Sequence, residues 1–243
     1  MVRFRKRASS SLFLGVITLI IIFGAAYLLG WSSLYTVKSI EIEGSTAKSV
    51  LISKLKSDQI SPEIGAKLAR IQTRSIMGSL TQLDWISSVE VDRNWFSRSI
   101  VIKIKERSAV AKAVIAQSAV VNFDAYGEVF KPTSPQQLAN QQSLPTVSIQ
   151  NSSKAQLAKV ALLFTQIPKQ MRELRTNLSS MSVSNSGLVQ MQSEISGRLL
   201  QINWGQLEEI EQKCQVLEAL LQLPENKGIK RVDLSQPDLP IVS

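Results

Sequence analysis

Residues 12–31 constrain this chain most strongly, because they form a run of twenty residues without a single charge. A helix of that length rises about 1.5 Å per residue and spans roughly 30 Å, which matches the hydrocarbon core of a bilayer. The residues expected to hold the chain in the bilayer are Leu12, Ile20, Ile21, Ile22 and Trp31. Residues 1–11 carry four basic side chains and no acidic one. Since short loops rich in Lys and Arg stay in the cytoplasm, the sequence predicts a cytoplasmic tail, one transmembrane helix and an extracytoplasmic remainder.

Two other interpretations of this run are a cleaved signal peptide and a buried core helix. The apolar region of a signal peptide usually has about 7–15 residues. Here residues 27–29 continue the apolar run past the small residues 24–26, which disfavours cleavage there. The length of the uncharged run, twenty residues, disfavours a buried core helix. The sequence therefore favours a single-pass membrane protein.

The net charge of +9 is concentrated at the start of the chain. Without the four basic residues of the tail, 24 basic residues stand against 19 acidic ones, scattered along the rest of the sequence. A basic tail beside an apolar run is explained by membrane topology and anionic lipid. The sequence therefore does not predict a nucleic-acid partner.

The chain has one cysteine and no histidine. A single cysteine cannot form an intrachain disulfide, and Cys214 lies on the apolar face of a predicted helix, which indicates a small buried side chain. The lack of histidine excludes Ser-His-Asp triads, Cys-His dyads and His-ligated zinc. The chain also lacks a phosphate-binding glycine loop. We therefore expect no enzymatic activity, cofactor, metal or small-molecule substrate.

Hydrophobic periodicity predicts an α+β fold with two domains after the membrane helix. Residues 36–107 show the order β-α-α-β-β, with helices at 46–57 and 67–83. Residues 108–243 predict a mostly antiparallel sheet with two helices packed on it. The elements expected there include a surface loop at 133–142, a helix at 154–175 kinked by Pro168, a hairpin at 188–204 that turns at Ser196 and Gly197, a helix at 206–223 and a last strand at 228–234.

Several motifs now point to a known family. They are LDWISSVEVDRNWF at 83–96, ERSAVA at 106–111, DAYGEVF at 124–130, Leu144-Pro145, and VDL at 232–234. In order and spacing they resemble the bacterial cell-division family FtsQ/DivIB, whose β-α-α-β-β unit is a POTRA domain. The sequence departs from the family pattern at Asp84, Phe96 and Ala109, where the family has proline, and at Ser235, where it has arginine.

The resemblance implies a non-enzymatic scaffold in the bacterial inner membrane at the division septum. The implied partners are the FtsB–FtsL pair and, through them, the septal peptidoglycan synthase. An extended partner segment would pair with the last strand by β-augmentation. The residues expected to make this contact are Lys230, Arg231, Val232, Asp233, Leu234, Leu239, Ile241 and Val242. The competing interpretation places Val232 and Leu234 in the core, followed by a frayed tail.

Two other function classes remain open at this point. The first is an envelope transport factor whose POTRA domain helps to assemble outer-membrane proteins, although such proteins usually end in a β-barrel. The second is a secreted enzyme with carboxylate chemistry, which would require cleavage after the apolar run. Within the POTRA-like unit, Trp85 is expected to fill the core between helices and sheet, whereas Trp95 could pack at the hairpin or face a partner.

Overall fold

The computed structural model describes residues 7–30, 35–115, 119–150 and 153–243. The chain divides into two compact units, Met1–Glu106 and Arg107–Ser243. Each unit contains its own sheet and helices. The α+β class predicted from the sequence is confirmed.

The first unit begins with helix α1 (Arg7–Gly30), whose apolar side chains between Phe13 and Phe23, Ile20, Ile21 and Ile22 among them, are exposed. Among the described residues, none of the helices combines the length and the apolar character required to cross a membrane. Leu12 lies in α1, whereas Trp31 lies outside the described residues. The membrane anchor therefore stays a prediction.

The rest of the first unit is a three-stranded sheet with two helices. Its elements are β1 (Ser39–Glu43), α2 (Lys48–Ser57), α3 (Thr73–Leu80), β2 (Ile86–Asn94) and β3 (Ser99–Glu106). The strand order is β1-β3-β2, with β1 parallel and β2 antiparallel to β3. The order β-α-α-β-β is as predicted. Trp85, at 2% exposure, is buried in this unit as expected.

The second helix of this unit is shorter than predicted. In place of one helix over residues 67–83, a 3-10 turn (Leu68–Arg70) is followed by extended backbone at Ile71 and then by α3. The side chain of Arg93 donates a hydrogen bond to the carbonyl oxygen of Ile71. That carbonyl is therefore bound to the sheet, which fits the break between the two helical segments.

The second unit is built on a nine-stranded sheet. Its strands are β4 (Ala111–Ile115), β5 (Ala119–Phe123), β6 (Val129–Phe130), β7 (Thr146–Ile149), β8 (Leu178–Val183), β9 (Leu188–Ile195), β10 (Arg198–Gln206), β11 (Arg231–Asp233) and β12 (Ile241–Val242). Their order across the sheet is β12-β11-β10-β9-β8-β7-β4-β5-β6. Three neighbouring pairs are parallel, namely β10–β11, β4–β7 and β7–β8. The other five are antiparallel, as the sequence predicted for most of the sheet.

The described residues of the second unit also form four α-helices: α4 (Pro135–Gln141), α5 (Lys154–Gln166), α6 (Glu173–Thr176) and α7 (Ile210–Gln222). One apolar core joins the buried faces of α5 and α7 to the sheet. Cys214 lies in this core on α7, as predicted, and burial raises the pKa of its thiol to about 11. The hairpin of β9 and β10 is also as predicted, with positive φ at both turn residues, Ser196 and Gly197.

Two predicted elements of the second unit were wrong, and one strand was missed. Residues 133–142 contain helix α4 rather than only a loop, because Ser134 and Gln137 form a capping box and Pro135 occupies the first helical turn. The helix predicted at 154–175 ends at Gln166, since Pro168 breaks it instead of kinking it. Strand β8 was missed, because its serine-rich sequence shows little hydrophobic alternation.

The last helix and strand have narrower bounds than predicted. β10 continues through Gln206, so α7 begins at Ile210 rather than at residue 206. After α7, a 3-10 turn (Pro224–Gly228) occupies the start of the region predicted as a strand, and β11 is only three residues long. The tail then returns as β12.

A candidate partner-binding edge of the second sheet

Strand β11 lies inside the sheet, not at its edge. It pairs in parallel with β10 on one side and antiparallel with β12 on the other. Val232 and Leu234 are buried in the core, at 1% and 0% exposure. The prediction of an open edge at residues 230–234 is therefore wrong for β11, because the tail covers that side. The tail itself is paired, and so it is not frayed.

The outermost strand at this end of the sheet is β12. Ser243 and Arg231 exchange two backbone hydrogen bonds, with N–O distances of 3.1 and 2.9 Å. In an antiparallel pair, alternate residues direct their backbone groups toward the neighbouring strand. Ile241 and Ser243 therefore face β11, and the N–H and C=O of Val242 face outward. Pro240, the next outward-facing residue, contributes a carbonyl but has no N–H.

The eight predicted contact residues fall into two groups. Asp233 and Val242 are half-buried and, with Val232 and Leu234, belong to the body of the sheet. The exposed side chains are Leu239 at 72% and Ile241 at 68%, together with Lys230 and Arg231. The edge thus combines two apolar side chains with two basic ones.

Asp233 organises the turn that follows β11. Its carboxylate accepts hydrogen bonds from the side-chain amide of Asn203 at 2.9 Å, and from the backbone N–H and hydroxyl of Ser235 at 2.8 and 2.6 Å. Partial burial raises the pKa of Asp233, but these hydrogen bonds outweigh burial and hold the pKa below its ordinary value. Ser235, where the family pattern has arginine, therefore fixes the end of β11.

Glycine is required where β10 passes this turn. The register of β9 and β10 shifts between Asn203 and Gly205, and Gly205 has a φ of +63°. A Cβ atom at Gly205 would lie 2.9 Å from the Cα of Ser235. The β10 bulge and the turn after β11 therefore approach each other at backbone distance.

A buried lysine ties α7 to the same bulge, and sequence reasoning missed it. The ammonium group of Lys213 donates to the carbonyl oxygens of Trp204 and Gln206, at 2.7 Å each. Burial lowers the pKa of Lys213, against the opposing effect of nearby acidic residues. The sequence signal that could have revealed its burial is the spacing. Lys213 lies three residues after Ile210 and four before Leu217, on the buried face of α7.

A largely buried ion pair lies at the start of this unit. Asp124, at 5% exposure, accepts hydrogen bonds from the backbone N–H groups of Tyr126 and Glu128, both at 2.9 Å. Arg107 forms an ion pair with the same carboxylate. The DAYGEVF motif thus has a structural role in a tight turn.

Two observations bear on metal and thiol chemistry in the part of the chain that the structure describes. Those residues contain no group of three or more His, Cys, Asp or Glu side chains that could hold a metal ion. The thiol of Cys214 is buried, and its raised pKa keeps it protonated at neutral pH.

Taken together, the two sheets and the exposed strand define an α+β protein whose candidate site is a sheet edge suited to a protein partner. The family model for the C-terminal part of cell division protein FtsQ/DivIB matches residues 113–235, slightly more than half of the chain. The chain therefore belongs to the FtsQ/DivIB family, a family of non-enzymatic cell-division proteins. No curated protein matches the sequence. The matched range includes β11, whereas Leu239 and β12 lie beyond it.

Proposed function

We propose that this protein scaffolds the division machinery by binding other division proteins at the outer edge of β12. The observation that carries the proposal is an outermost strand with outward backbone groups at Val242 and exposed apolar side chains at Leu239 and Ile241. The family membership supports a role in cell division at the septum. By resemblance to the family, the partners are the FtsB–FtsL pair and, through them, the septal peptidoglycan synthase.

The proposed mechanism is β-augmentation by an extended partner segment. The segment would hydrogen-bond to the N–H and C=O of Val242 and to the carbonyl of Pro240. Its apolar side chains would pack beside Ile241, as cross-strand neighbours do in a sheet. The exposed Lys230 and Arg231 favour a segment that carries acidic residues. Because β12 is short and is preceded by Pro240, which has no N–H, side chains must supply much of the affinity.

The proposal includes a POTRA domain in the first unit and a single membrane anchor at residues 12–31. The β-α-α-β-β order supports the domain. The support for the anchor is the uncharged sequence and the exposed apolar side chains of α1. The described helices do not themselves meet the requirements for a membrane span. An anchored protein should remain in the membrane fraction after alkaline carbonate extraction. Recovery of the full-length chain in the soluble fraction would contradict the anchor.

The edge proposal is tested by capturing the partner pair with the full chain. Val242→Pro removes the outward N–H and leaves the bonds between β11 and β12 in place, while Ile241→Asp places a charge beside the docking strand. We expect both variants to lose binding. Val120→Asp on β5 is the matched control, because Val120 is also an exposed strand residue, at 54%. Unchanged binding by both edge variants would exclude the edge of β12.

The cellular role is tested by depleting the protein in its own host. Long cells with segregated chromosomes and no septa would support the division proposal. Cells of normal length that lack outer-membrane barrels would instead support the envelope transport factor.

A further inference from the structure

One end of the first unit carries exposed aromatic and apolar side chains. Phe96, in the turn between β2 and β3, is fully exposed. The neighbouring Trp95 is 37% exposed and meets the ring of Tyr35 edge-to-face, with 6.1 Å between ring centroids. Ile64 is 72% exposed in the loop before the 3-10 turn.

These side chains belong to one continuous surface. The backbone N–H of Lys38 donates to the carbonyl of Arg98 at 2.7 Å, which joins the start of β1 to the β2–β3 turn. Leu68 donates to the carbonyl of Tyr35 at 3.0 Å, and Gly65 donates to that of Val37 at 2.8 Å. Residues 35–38, 64–71 and 93–98 therefore meet at the same end of the unit. We call them the hairpin-end surface.

The hairpin-end surface is mainly basic, with the acidic Glu63 and Asp92 at its borders. The three segments contain five basic residues and no acidic one; the basic residues are Lys38, Lys67, Arg70, Arg93 and Arg98. Outside these segments and the basic tail at residues 1–11, 19 basic residues stand against 19 acidic ones, so this concentration is a local feature. Exposed aromatic rings among basic side chains suit the boundary between anionic headgroups and acyl chains.

The position of this surface in the chain indicates which membrane it would meet. Gly30, the last residue of α1, and Tyr35 are separated by five residue steps, which can span at most about 18 Å. α1 also contacts the 3-10 turn Leu68–Arg70, which is part of the hairpin-end surface. If α1 is the membrane anchor, this surface is the part of the unit nearest to the lipid.

We propose that the hairpin-end surface docks on the anionic phospholipid surface next to the anchor, with Phe96 and Trp95 inserted at headgroup depth. The orientation of the first unit toward the bilayer rests on the proposed membrane anchor. The apolar and basic composition of the hairpin-end surface is independent of the anchor. Docking would hold the first unit at a fixed height and tilt above the bilayer. The partner-binding edge of the second unit is a separate surface.

The test uses the full chain in vesicles of phosphatidylethanolamine and phosphatidylglycerol, with an environment-sensitive fluorophore on an introduced cysteine. Ser97→Cys places the label beside Phe96 in the turn. Ser88→Cys is the matched control, because Ser88 is exposed on the same hairpin, six residues before the end of β2 and about 20 Å away along the strand. The native Cys214 is buried and should stay unlabelled.

We expect spin-labelled lipid to quench the fluorophore several-fold more strongly at position 97 than at position 88. Replacing phosphatidylglycerol by phosphatidylcholine, or adding Phe96→Ser, should remove most of this difference. Phe96 is fully exposed, so its replacement should leave the fold intact. Equal, weak quenching at both positions in anionic vesicles would overturn the proposal.

Carbonate extraction of the same samples separates this proposal from the anchor. A chain that resists extraction but shows no quenching at position 97 keeps the anchor and overturns the docking. A chain that is extracted yet shows lipid-dependent quenching before extraction supports the docking and overturns the anchor. Shielding of position 97 only after division proteins are added would show that the surface binds protein, which also overturns the proposal.

Discussion

Val242 lies opposite Val232 in the antiparallel pair of β12 and β11, so the tail of the chain covers the strand that contains the VDL motif. Both side chains pack in or against the core of the second unit. Substitutions in β11 therefore test the stability of the fold, whereas binding at the sheet edge is tested in β12, at the exposed side chain of Ile241 and the outward N–H of Val242. Val232→Pro, for example, would disrupt a strand that is paired on both sides.

Gly205→Ala should destabilise the second unit by about 2–3 kcal/mol, because it adds a Cβ in a left-handed conformation and against the backbone of Ser235. Urea unfolding followed by circular dichroism would measure the loss. Gly228→Ala is the control, since its φ is ordinary and a Cβ there would meet nothing within 4 Å. Equal stability of the two variants would contradict the close approach at the bulge.

Asp233→Asn should reduce the free energy of unfolding by about 1–2 kcal/mol at neutral pH, because a charged acceptor of three hydrogen bonds is lost. The folded-state pKa of Asp233 lies below the ordinary 3.8, so the carboxylate stabilises the fold above that value. Its contribution is lost as the pH falls from 3.8 through the lowered pKa. The difference between wild type and variant should therefore shrink in acid, and a constant difference would contradict the assignment.

Arg107→Met should cost about 3 kcal/mol, because it leaves the buried carboxylate of Asp124 without its cation. Adding Asp124→Asn should restore part of this loss, since the amide is neutral and its oxygen can still accept from Tyr126 and Glu128. A double-mutant cycle in urea measures the coupling. Strictly additive effects would mean that the two residues act independently.

Cys214 should resist thiol reagents at pH 8 in the folded protein. Its side chain is buried, so reagents cannot reach the sulfur, and its pKa is raised to about 11, so only a small fraction is the reactive thiolate. The labelling rate should rise by orders of magnitude in denaturing urea. Rapid labelling under native conditions would show that α7 opens locally.

The elements with strong local patterns could be predicted from the sequence. Alternation at Leu200, Ile202 and Trp204 defined the face of β10 that is buried, and the Ser196-Gly197 turn set its register with β9. Helical spacing likewise placed Cys214 in the core. Helix α4 could also have been predicted from the sequence, since its capping box is visible as Ser134-Pro135-Gln136-Gln137.

The candidate edge could not be predicted in the same way. The sequence by itself determined that Val232 and Leu234 are apolar and in an extended segment. It also determined that the tail at residues 236–243 contains polar residues and two prolines. Only the tertiary structure decided that β11 joins β10 in parallel and that β12 closes its other side. Strand partners are chosen by backbone hydrogen bonds and core packing between residues distant in sequence, and a strand of two or three residues carries too little periodicity to reveal them. The tertiary structure also decided the burial of Lys213 on α7, because the bulge in β10 directs two carbonyl groups toward its ammonium group.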